Sequence, residues 1–202
     1  MPPQSLLDIL DGVRMDLDRS TYESFADLEG YCRRVAGAVG IASIHVWGFR
    51  RPEETLPAAH ACGLAFQLTN ILRDIPEDLA RGRIYLPMDD FRDAGCDPDD
   101  LRSGRIGPEF ARLAAVSVAR AEAAYRRAES LDRTLSTDGR MVFRAMLGGS
   151  RAMFAAVRRA GTGIFTGRVR PGRAWVALAA VATVCAGPRL VRSAPRGTRR
   201  IP

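Results

Sequence analysis

Apolar residues in this 202-residue chain recur three and four positions apart far more often than two apart, a period that suits helices and leaves little to read as strand. Phe25, Leu28, Tyr31, Val35 and Val39 follow such steps within the stretch Tyr22 to Val46 and fall on one helical face. Further helices are predicted from about Ala58 toward Leu79, from Pro108 to about Leu131, and over roughly Thr137 to Ala160. Pro108 suits a first helical position because its missing N–H is not needed there. Residues 81–107, with turn signals at Asp97-Pro98 and Ser103-Gly104, read as a connector with at most one short helix. A last helical segment is predicted after Pro171-Gly172. Gly187 to Pro202, rich in proline, glycine and arginine, is predicted to be a disordered tail. No repeat or boundary divides residues 1–186, so the chain is predicted to be one all-α domain followed by the basic tail 187–202.

With 47% hydrophobic and 26% charged residues, the chain has ordinary globular composition and needs neither disulfide nor metal to fold. Cys32, Cys62, Cys96 and Cys185 lie far apart with no C-x-x-C pair, which disfavours a zinc site and a disulfide framework. A cytoplasmic location is expected. No signal-peptide pattern opens the chain. The longest apolar run, Ala174 to Ala186 with Thr183 inside it, has 13 residues against the ~20 a membrane span needs. It is expected to form a buried helix, with contact at a membrane surface as the alternative.

The net charge of +7 conceals an asymmetry. Residues 139–202 hold 13 arginines and no acidic residue, and residues 1–138 hold 17 arginines against 23 acids, a net of −6. Every basic residue is arginine, so the count is discounted as a nucleic-acid signal and no nucleic-acid partner is expected. His45, His60, Trp47 and Trp175 lie near no motif and are expected to pack. No G-x-S-x-G setting supports a hydrolase.

Chemistry concentrates in Ala65 to Pro87. Gln67, Asn70, Asp74 and Asp78 stand three, four and four apart, so a helix projects all of them from one side. Mg²⁺ takes oxygen ligands and commonly uses one or two carboxylates together with substrate phosphates. Arg73, Arg81 and Arg83 surround this face, and guanidinium groups pair well with phosphate oxygens. The face therefore suits a metal-bound diphosphate, while a solvated helix with i,i+4 ion pairs is the plainer reading. Pro76 opposes an undistorted helix, at a penalty of ~3 kcal/mol or a kink. Upstream, Ala36, Gly37, Ala38, Gly40 and Ala42 make a small-residue helix suited to close packing or to a wall beside a ligand.

The stretch QLTNILRDIPEDLARGRIYLP resembles the second aspartate-rich region of the squalene/phytoene synthases, head-to-head prenyl synthases of the isoprenoid (terpenoid) synthase fold. YCRRVAGAVG, Tyr31 to Gly40, resembles that family's Y-C-x-x-V-A-G-x-V-G helix, and DILDGVRMDLD resembles the segment leading into it. The resemblance implies a partial helical bundle in which Asp74 and Asp78 bind Mg²⁺, with Asn70 and Gln67 beside them. It implies that Arg73, Arg83 and Tyr85 contact or order a departing diphosphate. Tyr31, Val35, Ala36, Val39 and Gly40 would bind substrate, the last four as walls of a prenyl channel. The implied reaction joins two allylic diphosphates, farnesyl or geranylgeranyl, through a cyclopropyl diphosphate to a C30 or C40 hydrocarbon in triterpenoid or carotenoid synthesis.

The family's first aspartate-rich motif is expected upstream of these residues, so the chain reads as a member short of that segment. The competing reading is a non-catalytic member that binds prenyl diphosphate or a partner subunit. Asp8, Asp11, Asp16 and Asp18 are expected to be solvated surface. Phe154 and Arg173 stand near where the family's late tyrosine and lysine would fall.

Overall fold

The computed structural model describes residues 2–167, 169 and 170; the segment predicted after Pro171, with Arg173, Trp175, Cys185 and the tail, lies outside the described residues. Helix α1 spans Pro3–Asp18 and α2 Phe25–Cys32; a π-helical turn, Arg33–Gly37, then leads without a break into α3, Ala38–Trp47. The long α4, Pro52–Ala80, is followed by the short α5, Met88–Ala94, and α6, Pro98–Arg102. Next come α7, Pro108–Ala128, α8, Leu131–Thr134, and α9, Thr137–Ala160, which ends in a 3₁₀ turn, Gly161–Phe165. Among the described residues no strand forms; two isolated bridges, Thr21 with Ile84 and Phe49 with Leu135, tie loops together. The fold is all-α, as the apolar period predicts.

Helix α4 is the axis of the bundle. It packs most extensively on α7 and also meets the π turn, α3 and α9. Leu64, Leu68, Ile71, Leu72 and Ile75 are buried along it and join Phe110, Leu113 and Tyr125 in the larger core cluster. A second cluster around Ile44, Ala59, Cys62, Leu131 and Phe143 closes the other end. Burying each large aliphatic side chain stabilises by ~1.5–3 kcal/mol, so this row outweighs the ~3 kcal/mol expected from Pro76. Accordingly α4 runs through Pro57 and Pro76 to Ala80.

Several expectations need correction. Residues 3–18 form a helix that the sequence reading did not assign. The connector 81–107 holds two short helices: Asp97 caps α6 by accepting from the Asp99 N–H, and Pro98 is its first residue. A cap followed by proline and an isolated turn use the same chemistry, so the dipeptide alone does not separate them. The single apolar face read from Phe25 to Val39 does not persist either. Leu28 and Tyr31 are buried but Val39 is 45% exposed, while Gly37 and Ala38 turn inward. The Ala38 N–H bonds the Arg33 carbonyl, five residues back, and this wider turn rotates all later residues relative to a 3.6 period.

Candidate active site

The last turns of α4 carry the acidic face. Asp74 and Asp78 line a cavity of about 770 Å³ together with Arg73, Glu77 and Arg81. Its far side is Met153, Ile164, Phe165 and Val169, with Arg170 at the edge. One wall is thus charged and the other apolar. Gln67 and Asn70 lie on earlier turns of the same helix, half-buried.

Asp74 is held by its neighbour: Arg73 Nε donates to Oδ1 at 2.7 Å and Nη2 to Oδ2 at 2.5 Å. About a third of each side chain is exposed, so the pair remains open to exchange with a ligand. Asp78 has no such partner among the described residues. Burial, and then the negative charge of Asp74, push its carboxyl up to about 6, against the opposing pull of Arg81 and Arg83. Asp74 and Asp78 stand one turn apart, Arg73 pairs with Asp74, and the Asp74 charge disfavours ionisation of Asp78, so a cation placed between the two carboxylates would be favoured. No cluster of three or more metal-ligating His, Cys, Asp or Glu side chains occurs among the described residues. Two carboxylates one turn apart are a donor set that suits a cation completing its shell with other oxygens, such as Mg²⁺.

The α4 terminus then folds back. The Arg83 N–H bonds the Asp78 carbonyl at 2.8 Å, and Gly82 takes φ +75°, a backbone region that disfavours side chains. The returning strand of chain lies along residues 20–23, with the Ile84 N–H on the Ser20 carbonyl at 2.8 Å and the Met88 N–H on the Tyr22 carbonyl at 2.9 Å. This pairing brings Tyr85 onto Tyr31 and Tyr22, with ring centroids 5.4, 5.9 and 5.3 Å apart for the pairs 31–85, 22–85 and 22–31. Asp78, Arg83 and Tyr85 share a narrow crevice, so the acidic face and the tyrosine cluster are adjacent.

Among the residues predicted for the site, Arg73, Asp74 and Asp78 meet at the cavity, and Arg83, Tyr85 and Tyr31 meet next to it. The small-residue helix is placed differently. A Cβ on Gly40 would lie 2.9 Å from the Ala59 carbonyl oxygen, and one on Gly63 would lie 2.6 Å from the Ala36 carbonyl. Ala36 and Gly40 thus stand where α4 passes closest, and helix packing accounts for their size. Val35 packs on Gly12 of α1, and Val39 is partly exposed. Gly40→Leu is accordingly expected to lower the melting temperature and weaken short and long prenyl diphosphates alike. A loss confined to the longer one would mark Gly40 as a channel wall.

Asp16 was expected to be solvated surface. It instead accepts hydrogen bonds from Tyr31 and Tyr85. It lies in the stretch that leads into the Tyr31 to Gly40 motif, where a single aspartate on an acidic helix carries no local sign of its partners. Phe154 is buried against Tyr125 and belongs to the core. His45 bonds the Ile41 carbonyl and packs on Phe49, as expected for a histidine outside the site.

The squalene/phytoene synthase family profile matches residues 1–175. The chain is 44% identical over 142 residues to phytoene synthase 3, chloroplastic, of Zea mays, covering 68% of this chain and 33% of that protein. It is 41% identical over 138 residues to the phytoene synthase of Arthrospira platensis, covering 62% of this chain and 45% of that protein. Squalene synthase HpnC from Alicyclobacillus acidocaldarius superposes with a TM-score of 0.75 at 31% identity, over 80% of this chain and 61% of that one. A dehydrosqualene synthase in complex with ligand superposes with a TM-score of 0.81 at 28% identity, over 92% and 65%. The chain spans about a third of the length of the maize relative.

Proposed function

Since the chain belongs to the squalene/phytoene synthase family, we propose that it carries the second metal- and diphosphate-binding helix of a head-to-head prenyltransferase. The carrying observation is the pair Asp74 and Asp78 on one cavity wall, with Arg73 bound only to Asp74 and apolar Met153, Ile164 and Phe165 opposite. The charged wall suits a diphosphate and the apolar one suits a prenyl chain.

Asp74 and Asp78 would hold Mg²⁺, which when bound neutralises the charge that develops on a departing diphosphate, with Asn70 beside them on the substrate face. Arg73 is then free to leave Asp74 and donate to diphosphate oxygens, with Arg83 and Tyr85 approaching from the crevice side. Gln67 extends the polar face along α4. Tyr31 sits where the tyrosine cluster meets the site. The apolar wall limits water, which would otherwise quench an allylic cation.

Geranylgeranyl diphosphate is proposed as the substrate, because the relatives matched by sequence in Zea mays and Arthrospira platensis are phytoene synthases. A C40 hydrocarbon of carotenoid synthesis is the corresponding product. No described helix is long and apolar enough to cross a membrane. A cytoplasmic location with peripheral membrane contact is proposed on two grounds: the unpaired, buried Cys32, Cys62 and Cys96, and a product that partitions into lipid.

Product analysis tests the reading. The family resemblance places a second carboxylate pair on an upstream helix, so the chain is assayed with and without such a segment, given Mg²⁺ and either diphosphate. A C40 product from geranylgeranyl diphosphate, made only when the upstream motif is joined, is expected. A C30 product would reassign the substrate. Binding without product in both forms would favour the non-catalytic reading.

A further inference from the structure

Three of the candidate site residues, assigned from two separate motifs, converge on one residue of α1. Asp16 Oδ1 accepts from the Tyr85 hydroxyl at 2.8 Å, and Oδ2 accepts from the Tyr31 hydroxyl at 3.1 Å. Its backbone carbonyl accepts from Arg83 Nη2 at 2.9 Å. We propose that Asp16 is a positioning residue whose carboxylate sets the hydroxyl directions of Tyr31 and Tyr85, while its carbonyl holds Arg83. The two motifs thereby form one preorganised end of the site. This rests on the reading of Tyr31, Tyr85 and Arg83 as prenyl diphosphate contacts.

A carboxylate accepts two hydroxyl donors at once, whereas an asparagine amide offers one oxygen acceptor and turns a donor toward the second phenol. Asp16 is therefore the residue type the geometry requires. Burial first, and then the neighbouring hydroxyl and Asp16 itself, raise Tyr31 above the ordinary phenol range; burial and the Asp16 hydrogen bond do the same for Tyr85. Both remain donors at neutral pH, so Asp16 orients phenols and does not withdraw their protons. The third ring, Tyr22, has a buried hydroxyl with no partner among the described residues, so Asp16 satisfies two of the cluster's three hydroxyls. Helix α1 has an independent anchor, since Gly12 packs tightly against Arg34 and Val35. Loss of the carboxylate should leave α1 docked.

The test uses the 202-residue chain with ¹³Cζ-labelled tyrosine, as wild type, Asp16→Asn, Tyr31→Phe and the double variant. Two quantities are measured: the tyrosine resonances at neutral pH, and affinity for geranylgeranyl diphosphate with Mg²⁺. Asp16→Asn is expected to move the Tyr31 and Tyr85 resonances and leave that of Tyr125, whose hydroxyl bonds Thr69 and Ser150. Affinity should fall about tenfold, the lower end for loss of a residue that orients ligating groups. The fall should not be additive with that of Tyr31→Phe, because residues in one network couple.

Unmoved Tyr31 and Tyr85 resonances, or additive losses, would overturn the proposal. If Asp16→Asn melts too low for spectroscopy, the wild type decides: slow hydroxyl exchange at Tyr31 and Tyr85 supports it and fast exchange at both overturns it. Failure of the wild type to bind geranylgeranyl diphosphate would sink the reading of the site, while the resonances would still judge Asp16.

Discussion

Asparagine at Asp74 or Asp78 is expected to lower Mg²⁺-dependent prenyl diphosphate binding by at least ~100-fold, beyond the loss typical of a merely supporting residue at a metal site. The fold should be nearly untouched. Asp74→Asn removes an ion pair with Arg73 that is about a third exposed, and such pairs contribute ~0–1 kcal/mol. Asp78→Asn removes a carboxyl whose charge is opposed by burial and by Asp74, so stability should hold or rise slightly at neutral pH. Calorimetric titration with and without Mg²⁺, set beside a thermal melt of each variant, separates the two effects. Metal-dependent binding that survives in both variants would remove these residues from the metal site.

Gly63→Ala is expected to do the reverse and strike stability first. An added Cβ would lie 2.6 Å from the carbonyl carbon and oxygen of Ala36 and 2.6 Å from the Gly37 nitrogen. All three are backbone atoms, so no rotamer change relieves the clash and α4 must move away from the π turn. Overpacking of this kind costs ~1–3 kcal/mol. At ~2–4 °C per kcal/mol for a chain of this size, the melting temperature should fall by roughly 2–12 °C. Gly30→Ala is the matched control: its nearest contact would be 3.7 Å away, at the end of the Arg34 side chain. There alanine should be neutral or stabilising, since it is the better helix former by up to ~1 kcal/mol. Equal melting temperatures for the two variants would show that α4 and the π turn are not in the close contact described.

What the sequence conveyed depended on whether the information was local. The helix over Thr137–Ala160 is bounded as its periodicity predicts, because Ser136 caps it and Gly161 ends it within reach of the pattern. Gln67, Asn70, Asp74 and Asp78 were legible for the same reason: one helix fixes their common side whatever surrounds it. The π turn was not. It substitutes one hydrogen-bond register for another without any change in composition, and only its effect on Val39 and Ala38 reveals it. Asp16 was illegible because its partners are 15 and 69 residues away. Their meeting depends on residues 83–89 lying along residues 20–23, a pairing made by backbone groups that every residue carries. The glycines divide similarly. Gly37, Gly40 and Gly63 signal that something comes close, and the fold identifies it as the neighbouring helix.

The central claim is that the end of α4 holds a divalent cation and a diphosphate together. Anomalous scattering from crystals of the chain grown with Mn²⁺ and geranylgeranyl thiodiphosphate, a slowly ionising analogue, tests it most directly. The account predicts manganese peaks beside the Asp74 and Asp78 carboxylates, with the diphosphate between them and Arg73, and Arg73 no longer bound to Asp74. A diphosphate seated on arginines of α9, with no manganese at Asp74 or Asp78, would contradict it.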